Sequence, residues 1–297
     1  MMAKKEFRGV FTAIITPFKK NGQIDENAYL KLLDAQIQAG VAGIVPCGTT
    51  GESPTTSHEE DQRLFKLTVK HVDGRALVVP GTGSNATSEA LQLSKHAQDA
   101  GADAVLLVNP YYNKPTQKGL YLHFKVIADS LNIPCILYNI KGRTAVNVET
   151  PTMVRLMNDC PNIVGVKEAS GDLNQMKDLI RQRKKGFKVL SGDDNMTLNL
   201  IEAGGDGVIS VASNIIPKQI VEMVDLALKG NMAKARTLEK KYAELMATLF
   251  IETNPIPLKT ALAMQGKCEE VFRLPMCGME PKNKQKLRAV MQDLKIL

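Results

Sequence analysis

Eight short apolar runs, each followed by a longer amphipathic segment, constrain the fold of this 297-residue chain more than any other feature. The runs are VFTAIITPF (10–18), AGIVPCG (42–48), ALVVPGT (76–82), DAVLLVNP (103–110), PCILYNI (134–140), NIVGVKE (162–168), FKVLSGD (187–193) and DGVISVAS (206–213). A strand that is apolar on both faces must be covered on both, and a helix after each strand brings the chain back for parallel pairing. The intervening segments carry helix punctuation. Residues 25–39 end at Gly40, residues 88–100 stop at Gly101, and SHEE opening at Ser57 places Glu60 three residues on as a capping box. Together these predict an α/β fold, a closed (β/α)8 TIM barrel over residues 1–229. A doubly wound open sheet is the alternative. Beyond the last run the pattern changes. Residues 230–250, 255–266 and 281–296 read as helices, so 230–297 is expected to be a C-terminal helical extension packed on the barrel.

Composition narrows the function classes. With 44% hydrophobic and 23% charged residues the chain is not of a disordered type. Its longest apolar stretches, such as AVLLV at 104–108, are far too short to span a bilayer. The opening MMAKKEFRGV has no apolar core of the kind a signal peptide needs. A soluble cytoplasmic protein without a membrane partner is expected. The net charge of +7 is spread along the chain, and its densest run, RQRKK at 181–185, reads as a solvated helix C-terminus. No nucleic-acid motif accompanies it, so no nucleic-acid partner is expected, whereas a mild positive field suits small anionic substrates. The five cysteines form no CxxC pair and read as reduced thiols. The four histidines show no ligand spacing, so no metal site is expected. GTGSNA (81–86) matches a dinucleotide-binding fingerprint. The acid that should end the next strand is missing, however, because Asp103 opens that strand.

In such a barrel the loops after the strand C-termini form the active-site face. The polar oddities of this chain collect there: Gly48-Thr49-Thr50-Gly51-Glu52-Ser53, Asn109-Pro110-Tyr111-Tyr112-Asn113, Tyr138-Asn139 with Arg143 close behind, Lys167-Glu168, and Ser191-Gly192-Asp193-Asp194. Lys167 is the costly one, since burying an ammonium group requires that the charge be paired or lost. Alternation puts Ile163, Gly165 and Lys167 on one face and Val164 and Val166 on the other, with Gly165 leaving room beside the amine. Two readings stand for Lys167. It salt-bridges an acid at the barrel rim, or it is a desolvated amine that attacks a carbonyl and forms a Schiff base. The second needs neither metal nor organic cofactor. Tyr138, on the adjacent strand, suits proton transfer or a rim aromatic. Gly48-Thr49-Thr50-Gly51 suits a carboxylate or an ordinary turn. Arg143 suits a second carboxylate or plain solvation. Tyr111 and Tyr112 suit the site or an interface.

GIVPCGTTGES, NPYYNKPTQKGLYLHF, YNIKGRT, VGVKEASGD, SGDD, GVISVASN and TNPIPLKTAL occur in order over residues 8–295. The chain thereby resembles the dihydrodipicolinate synthases, within the pyruvate-dependent class I aldolase family that includes N-acetylneuraminate lyase. The resemblance implies a barrel that assembles as a homotetramer of two tight dimers and works without a cofactor. It implies Lys167 as the Schiff-base lysine and Tyr138, Thr49 and Tyr112 as a proton relay, Tyr112 reaching into the neighbouring subunit. Thr50 is implied at the pyruvate carboxylate, Arg143 at the carboxylate of aspartate semialdehyde, and Gly192 and Ile209 as backbone positions lining the pocket. Arg143 separates this subgroup from the sugar-acid lyases, the rival reading within the same chemistry. A catalytically silent barrel would be expected to lose Lys167 or Tyr138, and both are present. His58, Asn85, Glu89 and Tyr111 match the positions where lysine-sensitive relatives hold that effector. Two residues depart from the family pattern. Lys141 replaces a usual proline before Arg143, and Asp61 stands where histidine is common in lysine-sensitive bacterial enzymes.

Overall fold

Each of the eight apolar runs forms a strand. The computed structural model describes residues 6–297, so residues 1–5, the first half of the stretch read above as lacking a signal-like core, lie outside the described residues. The strands are β1 (Gly9–Ala13), β2 (Gly43–Val45), β3 (Leu77–Val78), β4 (Val105–Val108), β5 (Cys135–Asn139), β6 (Ile163–Glu168), β7 (Lys188–Ser191) and β8 (Gly207–Ser210). They pair in parallel in the order β3-β2-β1-β8-β7-β6-β5-β4. The two ends of that order meet. Gly81 and Leu106 form a parallel bridge, Leu106 N–H donates to Pro80 O (2.8 Å) and Thr82 N–H donates to Leu106 O (3.0 Å). The sheet is therefore a closed barrel, and the open-sheet alternative is excluded.

Helices of six or more residues follow the strands as the punctuation predicts. Glu26–Gln38 runs up to Gly40, which adopts φ +82°, and Thr87–Asp99 runs up to Gly101 at φ +88°. Both glycines supply the left-handed residue that ends a helix. The capping box on His58–Val72 is formed in both directions, Glu60 N–H to Ser57 Oγ (3.2 Å) and Ser57 N–H to Glu60 Oε2 (3.0 Å). After β8 and its helix Pro217–Leu228, the chain forms the helices Met232–Thr248, Ile256–Met264 and Pro281–Asp293, with no further strand among the described residues. No helix of the described residues is long and apolar enough to cross a membrane.

Two cores follow from strands that are buried on both faces. The barrel interior is filled by Phe11, Val45, Leu77, Leu106, Ile136, Leu190 and Ile209 among others. The outer core, between strands and helices, includes Ile44, Val105, Leu107, Leu137, Val166, Val189 and Val208. β6 departs from strict alternation. Cys135 pairs with Ile163 but Ile136 pairs with Gly165, so Val164 is an extra residue in the ladder. Such a bulge resets which side chains face which way. Ile163 packs in the outer core and Val164 against the inner one, the reverse of the expected faces. Val166 and Lys167 keep theirs. Gly165 is small for a different reason than expected. A Cβ there would lie 2.8 Å from the Lys188 carbonyl oxygen, so the glycine lets β7 approach and does not make room for Lys167.

Two further motifs are accounted for by packing. In GTGSNA, a Cβ on Gly81 would lie 2.5 Å from Cys47 O and one on Gly83 would lie 2.4 Å from Val108 N, so these glycines serve the contact with the neighbouring strand ends. In RQRKK, only part is a solvated helix end. Arg183 leaves the helix and binds Asp206 at 2.5 Å and Gly204 O at 2.8 Å. All five cysteines are free thiols.

Candidate active site

Because β5 and β6 are parallel and in register at their C-terminal ends, Tyr138 sits opposite Lys167. Lys167 Nζ lies 4.0 Å from the centroid of the Tyr138 ring, a cation–π contact for an amine that is only 6% exposed. Among the described residues the Lys167 side chain forms no ion pair and no hydrogen bond. The rim-salt-bridge reading of the sequence therefore fails. The acids nearest its charge follow β7. Burial pushes the carboxyls of Asp193 and Asp194 up, and the Lys167 charge pulls both partly back. Gly192 makes room for the lysine stem: a Cβ there would lie 3.2 Å from Lys167 Cε and 2.5 Å from Ala169 Cβ.

The turn after β2 is wound tightly by its own backbone, with Gly51 N–H to Gly48 O (3.0 Å), Glu52 N–H to Thr49 O (3.1 Å) and Ser53 N–H to Gly48 O (3.2 Å). It brings Thr49 and Thr50 to the mouth of the barrel. Thr50 Oγ1 accepts from Asn254 Nδ2 at 2.9 Å, which leaves its own proton available to a ligand. Arg143 lies on the short helix Lys141–Thr144, and its Nη2 donates to the carbonyl oxygen of the same Asn254 at 3.3 Å. Lys141, in place of the family proline, is exposed. The turn it opens is closed by Ala145 N–H to Lys141 O (2.8 Å) and by Thr144 Oγ1 to Ile140 O (2.8 Å).

These groups converge on one narrow cleft of about 40 Å³, lined by Thr49, Thr50, Tyr138, Arg143, Lys167 and Gly192 together with Asp193 and Asn254. It adjoins a larger outer cavity of about 830 Å³ that shares Thr49, Tyr138 and Arg143. Tyr112 borders only the outer cavity. It is 88% exposed and held at φ +70°, with no partner for its hydroxyl among the described residues. Ile209 is fully buried in the inner core and lines neither space, Val211 taking that place in the cleft. His58, Glu89 and Tyr111 border the outer cavity, with His58 Nε2 at 3.2 Å from Glu89 Oε1 and Ser84 hydroxyl donating to Glu89. Asn85 is not in that lining, and its carbonyl accepts from Asn113 Nδ2 at 2.8 Å. Asp61 is turned inward. Burial raises its carboxyl to about 6, against hydrogen bonds from the Thr56 hydroxyl (2.7 Å) and the Cys47 thiol.

Sequence reasoning missed the residues that hold the Thr49-Thr50 turn from behind. Lys259 Nζ meets Glu52 Oε1 at 2.5 Å, both side chains being essentially inaccessible, and the ammonium lies 4.2 Å from the Phe18 ring centroid. Arg273 adds a backbone contact to Glu52 (3.4 Å) and grips Glu60 through two 2.6 Å bonds. The signal was available: a lysine inside the largely apolar helix Ile256–Met264 needs a partner once it is buried. No group of three or more His, Cys, Asp or Glu side chains among the described residues is placed to hold a metal ion.

The chain is similar to known proteins over nearly its whole length. Residues 6–294 match the model of the dihydrodipicolinate synthetase family. The chain is 54% identical over 287 residues to 4-hydroxy-tetrahydrodipicolinate synthase of Syntrophus aciditrophicus, covering 97% of this chain and 98% of that one. It is 53% identical to the enzyme of the same name from Thermodesulfovibrio yellowstonii, with the same coverage. The crystal structure of dihydrodipicolinate synthase from Aquifex aeolicus superposes with a TM-score of 0.96 at 45% identity, covering 98% of this chain and 99% of that one.

Proposed function

The chain belongs to the dihydrodipicolinate synthetase family, and we propose that it works through a Schiff base on Lys167. It condenses pyruvate with aspartate 4-semialdehyde to 4-hydroxy-tetrahydrodipicolinate, on the diaminopimelate route to lysine. The observation that carries the mechanism is a buried amine without an ion-pair partner, set in a narrow cleft beside a tyrosine. Lys167 Nζ attacks the keto carbon of pyruvate and water leaves, giving an imine. Loss of a proton from the methyl carbon gives an enamine, which forms the new C–C bond to the aldehyde carbon. The substrate amine then attacks the imine carbon, and the C–N bond to Lys167 breaks as the ring closes. Tyr138, whose ring lies against the Lys167 amine, is the acid–base group of the relay, and Thr49 lines both the cleft and the outer cavity with it. The Thr50 hydroxyl and the backbone N–H groups of Thr49 and Thr50, which the turn does not use itself, receive the pyruvate carboxylate, and Gly192 leaves space for the lysine stem. Ile209 supports the floor of the site from the barrel interior. The direct test is to incubate both substrates and follow them by mass spectrometry. Equimolar consumption with appearance of the cyclic product is expected, whereas turnover of sugar acids alone would favour the rival aldolase reading.

Arg143 is the specificity group for the second substrate, because a guanidinium fits a carboxylate. Arg143→Ala is expected to lower kcat/KM for aspartate semialdehyde about 100-fold, in line with the loss of roughly 3 kcal/mol from a charge-assisted contact. Pyruvate imine formation should change less than about threefold. Equal loss of both steps would show that Arg143 is structural or contacts pyruvate.

Tyr112 completes the site of a second copy in a tight dimer, two such dimers forming a tetramer in the cytoplasm. Its exposure and that of the adjoining Tyr111, at 88% and 40%, support a covering partner. Tyr112→Phe is expected to slow turnover, and mixing that chain with a Lys167→Ala chain should restore part of the activity, since a mixed dimer then carries one intact site. No recovery despite demonstrated subunit exchange would place Tyr112 in its own chain's site.

The outer cavity, with His58, Glu89 and Tyr111 and with Asn85 beside it, is the candidate effector site. His58 and Glu89 already bind each other, and the Asp61 carboxyl is spent on Thr56 and Cys47. Inhibition by lysine is accordingly expected to be weak or absent in initial-rate measurements at saturating substrates. Strong inhibition at sub-millimolar lysine would show that the site is intact despite Asp61.

A further inference from the structure

The loop that carries Thr49 and Thr50 is held at both ends by one acid that lies outside the cleft. Cys47 enters the loop after β2, and Thr56 leaves it before the helix His58–Val72. Asp61, only 3% exposed on the first turn of that helix, accepts from the Thr56 hydroxyl at 2.7 Å and from the Cys47 thiol. Burial and the Asp61 charge push the Cys47 thiol up, so it stays protonated and remains a donor. Cys47 needs holding, because at φ +52° it is in the left-handed region, a costly conformation for a residue with a side chain. The turn rests directly on it, since a Cβ on Gly51 would lie 3.1 Å from Cys47 N. A shift at Cys47 therefore displaces the turn.

Stability does not explain the acid. Burial raises its carboxyl to about 6, so the folded chain binds this proton more tightly than the unfolded one. Ionising Asp61 as pH rises from the ordinary carboxyl range to about 6 accordingly lowers stability. The charged groups around it are engaged elsewhere. His58 binds Glu89 of the helix Thr87–Asp99 at 3.2 Å, and Glu60 is gripped by Arg273 at 2.6 Å. Tyr29, from the helix Glu26–Gln38, acts on Cys47 and shares a 2.7 Å hydrogen bond with Thr68. Asp61 itself borders the outer cavity, which gives its proton a route to solvent.

We infer that ionised Asp61 is a positioning residue for pyruvate, a clasp that joins Cys47 to Thr56 and sets the Thr49-Thr50 turn in its binding geometry. This rests on the reading of that turn as the receptor of the pyruvate carboxylate. One proton reverses the clasp. Thr56 Oγ1 lies 2.7 Å from Asp61 Oδ1 and 3.0 Å from Ser53 O, and it has a single proton to give. The carboxylate takes that proton. A protonated Asp61 donates to Thr56 instead, and the Thr56 proton turns to Ser53 O. Every group stays paired, but the charge-assisted bond has become a neutral one, which is weaker.

The test is Asp61→Asn in the full-length enzyme. The readout is the rate of cyanoborohydride trapping of pyruvate at limiting pyruvate, without the second substrate. Asparagine keeps the shape and, like the protonated acid, donates to Thr56 and accepts from Cys47. At about pH 8 trapping is expected to fall about 5- to 10-fold, the step from a charge-assisted to a neutral contact. Saturating pyruvate should restore it, and the variant should unfold no earlier than wild type. Near pH 5, about one unit below the Asp61 carboxyl, the wild-type acid is itself protonated, and the two proteins should agree within about twofold. Thr56→Val, which keeps the carboxylate but removes its hydroxyl donor, should show the same fall at the higher pH. Equal trapping by Asp61→Asn and wild type at the higher pH, a difference that persists undiminished in acid, or earlier unfolding of Asp61→Asn would overturn the clasp. Thr50→Ala separates this from failure of the parent reading. If it leaves trapping at limiting pyruvate unchanged, the turn is not the receptor and both readings fall. If it weakens trapping and Asp61→Asn does not, the clasp alone falls.

Discussion

Replacing Lys167 with alanine is expected to reduce turnover on the order of 10,000-fold or more while leaving the protein folded, as is usual when a covalent nucleophile is removed. The two halves of that result come from one observation. Lys167 is 6% exposed and holds no carboxylate in an ion pair, so its removal breaks no direct pair, and Asp193 and Asp194 lose only a longer-range charge. A lysine kept for stability would behave in the opposite way, with lost stability and incidental loss of activity. The measurements are steady-state turnover and thermal unfolding of the same preparation. A variant that retains a tenth of the activity would remove Lys167 from the chemistry, and one that unfolds many degrees earlier would make it a structural group.

Lys259→Ala should show that contrasting behaviour. Its ammonium is fully buried against Glu52 at 2.5 Å, and burial lowers its tendency to hold a proton while the Glu52 charge raises it. Breaking such a pair leaves an uncompensated charge, and the expected loss is about 3–5 kcal/mol in urea unfolding. The double variant Glu52→Gln, Lys259→Met should recover much of this, because no charge is then stranded. Glu52 ends the Thr49-Thr50 turn in a left-handed conformation, at φ +55°. The single variant is therefore also expected to raise KM for pyruvate. A loss below about 1 kcal/mol would place the pair with ordinary surface salt bridges.

How much of this was legible in the sequence depended on range. Strand and helix order was readable because each strand is apolar on both faces and each helix is punctuated locally, as at Ser57, Gly40 and Gly101. The convergence of Thr49, Tyr138, Arg143 and Lys167 followed from that order, since parallel strands in a barrel deliver their C-termini to one rim. What alternation could not show was the extra residue at Val164, which depends on the partner strand's register and not on β6 alone. Gly165 was misassigned for the same reason: the atom it accommodates belongs to Lys188 on the next strand. The support from Asn254, Lys259 and Arg273 joins residues about 200 positions apart, Thr50 to Asn254 and Glu52 to Lys259 among them, and no local pattern encodes such a pairing. Lys259 alone left a trace, as a charge in an apolar helix.

The central claim is that catalysis runs through an imine on Lys167. It is tested most directly by treating the enzyme with pyruvate and sodium borohydride, digesting it and mapping the peptides by mass spectrometry. The account predicts one reduced pyruvyl adduct per chain, on the peptide containing Lys167 and dependent on pyruvate. An adduct on another lysine, Lys259 included, or no adduct in an enzyme that turns over, would contradict it.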